Sequence, residues 1–186
     1  MKTRSKFASA LLVTAMTLAG MAGLAGPAHA ADTTATFTIT AAGGLAVTAP
    51  ESKALGSAAS GATSLAGVQL GAVAVTDSRG ALLGTWTASV TSSDFTTGAA
   101  SENETIGKAN ASYWSGAATA SSGTAVFLPG QAADLNKVTM DVSRTAFSAS
   151  AIVGNNSATW NPTVSMAIPA TAVAGSYSGT ITHSVA

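Results

Sequence analysis

Residues 72–90 read AVAVTDSRGALLGTWTASV. In the first arm Val73 and Val75 alternate with Ala72, Ala74 and Thr76; in the second, Trp86, Ala88 and Val90 alternate with Thr85, Thr87 and Ser89. A period of two is the mark of a half-buried strand, because successive side chains point to opposite faces. Between the arms stands Asp77-Ser78-Arg79-Gly80. Asp at the first position and Gly at the fourth favour a type I turn. The stretch therefore predicts two strands and a reversing turn, with Trp86 on the Val/Ala face.

The same alternation recurs along the chain. Thr34–Thr40, TATFTIT, sets Ala35, Phe37 and Ile39 against threonines and predicts a first or edge strand. Leu45, Val47 and Ala49 continue it after Gly43-Gly44, and Leu65–Leu70 adds a short strand. Ser52–Ser64 and Gly116–Gly123 read as Ala/Ser/Gly/Thr loops. Ala109, Ala111 and Tyr113 alternate ahead of Trp114, and Phe95 is a candidate plug for one end of the core. Short strands follow at Thr124–Leu128, Val138–Val142 and Thr145–Ile152, with Gly154-Asn155-Asn156 as a turn. A second hairpin-like pair closes the chain, Trp160–Ile168 and Tyr177–Val185, with Pro162 at an edge or bulge. Many short strands without a long helical period predict an all-β, immunoglobulin-like antiparallel β-sandwich.

The first thirty residues predict something else. Lys2, Arg4 and Lys6 precede an apolar run from Phe7 to Leu24, and Ala28-His29-Ala30 is a small-x-small cleavage signal. This is the pattern of a secretory signal peptide over residues 1–30, leaving residues 31–186 as a single β-sandwich domain with no integral membrane segment. Without the three leader cations, five basic residues face eight acids, a net charge of −3. That excludes the basic stripe a nucleic-acid partner needs. Only 9% of the whole chain is charged, against about 25% in ordinary soluble domains. Ser, Thr, Ala and Gly stand in place of the charges, and there is no cysteine. A hydroxyl-rich, strand-rich, thiol-free chain suits an extracellular β protein whose core alone supports the fold.

With both ends read, the chain resembles the WxL domain, a non-catalytic cell-wall-binding module of Gram-positive surface proteins. The first half of the resemblance is Val75-Thr76-Asp77-Ser78-Arg79-Gly80 followed by Gly84-Thr85-Trp86-Thr87-Ala88, with Asp94-Phe95 after it. The second half is Ala174-Gly175-Ser176-Tyr177-Ser178-Gly179-Thr180-Ile181-Thr182-His183-Ser184-Val185. Ala88 stands where the first motif carries leucine; His183 and Val185 stand where the second carries tryptophan and leucine. The resemblance implies an actinobacterial-type secreted protein held non-covalently on peptidoglycan or with other cell-surface proteins. It marks Asp77, Arg79, Gly80, Trp86, Tyr177 and His183 as the signature positions.

Candidate chemistry is sparse. Trp86 and Trp160 read first as core residues, with glycan stacking as the alternative. Tyr113 and Trp114 are strand neighbours, so one of them is expected to face outward. Tyr113, Trp114 and Trp160 are thus the candidate ligand-contacting aromatics. His183, in phase with Ile181 and Val185, reads as half-buried with one ring nitrogen on backbone. Asp77 and Arg79 read as a turn acid and an exposed base. Glu102 and Glu104 read as solvated carboxylates rather than a glycosidase pair. No residue set has metal-ligand or nucleophile spacing, so neither enzyme activity nor a cofactor is expected.

Overall fold

A computed structural model describes residues 34–186; the leader expected over residues 1–30 lies outside them. Strands run in chain order as β1 (Leu45–Thr48), β2 (Ser64–Gln69), β3 (Val73–Asp77), β4 (Leu82–Ser92), β5 (Phe95–Thr96) and β6 (Thr105–Ile106). They continue as β7 (Ala111–Trp114), β8 (Ala118–Pro129), β9 (Val138–Thr139), β10 (Arg144–Trp160), β11 (Thr163–Ala167) and β12 (Ile181–Val185). The only helices described are three single turns of 3-10 type, at Glu102–Glu104, Lys108–Asn110 and Asp134–Asn136. No helix among the described residues is long and apolar enough to cross a membrane. The fold is all-β and antiparallel, as the alternation predicts. Residues 39–186 make up one compact unit.

The large sheet is organised by β10. On one edge β10 pairs with β8 over nearly its whole length. On the other it pairs first with β4, through Arg144–Val153, and then with β3, through Asn156–Trp160. Ala149 thus lies between Trp86 and Phe127, and Ala158 between Val75 and Ser121. Both β3 and β4 are antiparallel to β10 on the same edge, so they run in one direction, end to end. The predicted hairpin is absent: Asp77–Ala81 carries the chain across a jog in one interrupted strand and does not reverse it. β1 flanks β3 and β12 flanks β4 on the far edge, again end to end. The second sheet has the order β2-β11-β7-β9, and a two-stranded ribbon pairs β5 with β6.

Four other expectations need correction. Gly154-Asn155-Asn156 is no turn; it lies inside the 17-residue β10, where Gly154 at φ 75° forms a bulge opposite the jog. Gly116–Gly123, which reads as a loop, belongs largely to β8. Gly123, at φ 79°, lets β8 pass the bulge, where a Cβ would strike the Asn155 carbonyl. β11 and β12 lie in different sheets and do not pair, so the C-terminal hairpin is also absent, and Pro162 is buried at the β10–β11 junction. Thr34–Thr40 is in no strand, and Phe37 and Ile39 are exposed.

The core lies between the two sheets. Val73 and Val75 of β3, Trp86, Ala88 and Val90 of β4, and Phe147, Ile152 and Trp160 of β10 face Tyr113 of β7 and Val164 and Met166 of β11. Phe95 joins them, as expected. Phe147 and Trp160 stack with centroids 4.8 Å apart, and Trp86 tilts against Phe127 at 6.2 Å. Each large aromatic removes about 150–250 Å² from water, about 4–6 kcal/mol of transfer free energy.

Candidate functional site

Five of the six signature residues, all but Tyr177, fall into two polar networks. The first closes the jog between β3 and β4. Asp77 ends the alternation Val73-Val75-Asp77, so its side chain points into the core, where it is fully buried. Arg79 reaches back over it. Its Nε donates to Asp77 Oδ1 at 2.8 Å and its Nη2 to Oδ2 at 2.9 Å, while the Arg79 backbone N–H donates to Oδ1 at 3.0 Å. From β10, Asn156 Nδ2 donates to Asp77 Oδ2 at 3.1 Å, and Asn156 Oδ1 accepts from Trp86 Nε1 at 2.9 Å. Arg79 Nη2 also donates to the Thr85 carbonyl, and the Gly80 N–H to Asn155 Oδ1. Gly80 holds φ 63°, which glycine adopts without strain. The bidentate Arg79 pair, with help from Asn156, holds the Asp77 carboxyl at about 2 against the opposing cost of burial. Asp77 is therefore no solvated turn acid; it is the buried centre of a fully bonded junction.

The second network joins the sheets. Trp160 Nε1, from the large sheet, donates to the Tyr113 hydroxyl of the small sheet at 3.0 Å. The Tyr113 hydroxyl lies 3.2 Å from His183 Nε2 on β12. Having accepted from Trp160, the hydroxyl has one hydrogen to give, and it goes to Nε2. That places the imidazole hydrogen on Nδ1, an assignment made from the bonding pattern. His183 Nδ1 is buried and has no partner among the described residues. The ring packs 5.7 Å from Tyr113 and edge-on to Trp160 at 6.4 Å. Burial lowers the His183 pKa to about 4 and pushes the Tyr113 hydroxyl far above its ordinary range. His183 bonds a hydroxyl from the facing sheet, not the backbone as the sequence suggests, and it is neutral at physiological pH.

The candidate ligand-contacting aromatics are placed accordingly. Trp160 and Tyr113 are fully buried, so neither meets a ligand at the surface. Trp86 is core. Trp114 is half-buried on the other face of β7, and its ring lies over Gly67; a Cβ there would stand 2.6 Å from Trp114 Cη2. Tyr177 donates its hydroxyl to the Val173 carbonyl at 2.8 Å and pins the approach to β12. Glu104 is no half of a carboxylate pair. It accepts from Ser101 Oγ and from the Ala99 and Ser101 N–H groups, and these bonds lower its pKa.

Asn156 was the residue missed by reading the sequence. Its signal was present: Asn156, Ala158 and Trp160 keep the two-residue period, which the apparent turn at Gly154 obscures. A shallow cleft of about 170 Å³ opens beside His183, walled by Pro50, Glu51, Lys53, Leu70, Phe95 and Ile181. Small-molecule sites commonly enclose about 300–1,000 Å³, so the cleft is undersized for one. Among the described residues no cluster of His, Asp and Glu has metal-binding geometry. What the two networks do chemically is fix strands to one another. Comparisons of the chain with family models, with curated proteins and with solved structures find no match in any of the three.

Proposed function

We propose that this chain is a non-catalytic secreted protein that associates non-covalently with the Gram-positive cell wall or surface, as a structural or interaction subunit. The leader pattern and the two WxL-like halves support the location. The observation that carries the mode of action is where the polar and aromatic groups lie. Asp77, Asn156 and Trp86 bond one another in one network inside the sandwich, and Tyr113, His183 and Trp160 in the other. The outer side of β8 offers alanine, serine, threonine and exposed apolar side chains instead. This distribution favours contact with a protein partner over stacking on a sugar ring.

The test is retention of the purified, leader-processed protein on two preparations of cell wall, one intact and one stripped of protein. Retention on intact walls and loss from stripped walls is expected, with Trp114→Ala behaving like the parent. Retention on stripped peptidoglycan that disappears in Trp114→Ala would replace the protein partner with a glycan. Retention on neither overturns the surface reading.

A further inference from the structure

Thr34–Thr40 has the sequence of a strand and is in none. Its apolar residues keep the two-residue period, yet Phe37 is 88% exposed and Ile39 85%. Strand β8 carries the complementary feature. Among the described residues it pairs with β10 alone, so the backbone N–H and C=O groups of its other edge are open. Sheet edges ordinarily carry a lysine, a proline or an inward charge that blocks addition of another strand. β8 holds no charged residue, and its single proline, Pro129, is its last residue, beyond Val126 and Leu128. Val126 and Leu128 are 51% and 55% exposed, on the outer face of the sheet.

We propose that the open edge of β8 accepts residues Thr34–Thr40 of a second copy of this chain as an added strand. Backbone hydrogen bonds supply the ladder, and Phe37 and Ile39 align with Val126 and Leu128. The threonines then fall on the face of Ala125 and Phe127. Neither strand carries a charge, so nothing repels their approach. The occupant comes from another copy because its own chain is too short. β1 borders the large sheet on the side away from β8, with β3 and β10 between them. A strand outside β8 lies four strand spacings from β1, about 19 Å. Thr40 and Leu45 are five residue steps apart, at most about 18 Å when fully extended. Even that reach assumes a straight path through the sheet. Donor and acceptor are different surfaces, so the contact is head-to-tail and propagates into a linear polymer.

The inference deepens the proposed role as an interaction subunit. It is tested in free solution without any cell wall, so the two can fail separately. Association of the leader-processed protein is followed by sedimentation velocity over a wide concentration range. Two variants are compared, F37K/I39K in the donor and V126K/L128K in the acceptor. All four side chains are exposed, and circular dichroism checks that each variant is folded. The parent is expected to form a concentration-dependent series of oligomers, and each variant alone to associate at least tenfold more weakly. An equimolar mixture of the variants is expected to form a one-to-one dimer and nothing larger, since one retains the donor and the other the acceptor. The shared positive sign of the substitutions prevents rescue by a new ion pair. A parent that stays monomeric at every concentration overturns the proposal. So does a mixture that forms no dimer, or a variant that polymerises as well as the parent.

Discussion

Asp77 and Asn156, 79 positions apart in the chain, face each other across the β3–β10 pairing, and the Asn156 amide donates to the Asp77 carboxylate at 3.1 Å. The two side chains sit where both strands break their regular register. Replacing Asp77 by Ala leaves the buried Asn156 amide without its acceptor and the Arg79 guanidinium, 37% exposed, to solvent, at a cost of about 1–3 kcal/mol. Asn156→Ala removes the acceptor of Trp86 Nε1, at about 1–3 kcal/mol. Because they share a network, the double variant is expected to fall short of the sum by at least about 0.5 kcal/mol. Urea denaturation of the four proteins measures it. Strict additivity would show that the two residues do not act together.

Two groups predict acid lability in separate windows. The His183 pKa lies at about 4 in the folded chain, below the ordinary 6.5. The unfolded chain therefore takes up the proton first. Stability is full above about pH 6.5 and falls as the pH drops toward 4, by up to about 3 kcal/mol. Asp77, lowered to about 2, acts below that window. Its contribution is present above about pH 4 and is lost as the pH falls toward 2. Arg79 keeps 37% of its side chain in solvent, and screening leaves about 1–2 kcal/mol. Imidazole proton shifts report the first window directly, and a His183 midpoint near 6.5 would refute it.

His183→Phe keeps a ring between Tyr113 and Trp160 while removing the unpartnered Nδ1. The Tyr113 hydroxyl still accepts from Trp160. The hydroxyl loses the nitrogen it donates to, so the substitution is expected to destabilise at neutral pH by about 1–3 kcal/mol and to flatten the dependence between pH 6.5 and 4. A variant that keeps the parental slope would place that titration on another group.

Trp114 and Gly67 predict an epistatic pair. Gly67→Ala drives a methyl into the indole and is expected to destabilise by about 1–3 kcal/mol. In a Trp114→Ala background the same change meets only Thr163 Cγ2, 3.1 Å away, and most of the cost should vanish. Thermal unfolding of the four proteins decides it; equal costs in both backgrounds would mean the indole does not lie over Gly67 in solution.

The 97–105 loop depends on Glu104 as an internal cap. Glu104→Ala frees the Ala99 and Ser101 N–H groups, and amide exchange there should quicken while the core amides of β4 and β10 hold their protection. Unchanged exchange at both amides would count against the cap.

Strand character was widely legible in the sequence because it is local: β1, β2, β3 and the second arm of the opening stretch fall close to where alternation puts them. Strand partnership was not legible, because it is set by packing. Asp77-Ser78-Arg79-Gly80 has the composition of a turn, yet a buried carboxylate held by Arg79 and Asn156 gives those residues a straight passage past β10. The same physics hid the sites. A tryptophan at period two says which face it shares, but only the facing sheet decides that Trp160 and Tyr113 are sealed and Trp114 is half open. Thr34–Thr40 shows the reverse case, a strand pattern with no partner among the described residues.

The end-to-end arrangement of β3 and β4 along β10 has a kinetic consequence. Among the described strands only β5 and β6 are consecutive in the chain and also paired. Every other ladder closes a long loop, and folding rates fall steeply as contacts become more distant in sequence. A chain emerging from its N-terminus carries β3 and β4 for more than fifty residues, and β8 for fourteen, before the strand that joins them exists. Assembly of the large sheet must wait for residues 144–160, so folding is a late and nearly all-or-none event, and a chain truncated before Arg144 lacks the strand that joins β3, β4 and β8.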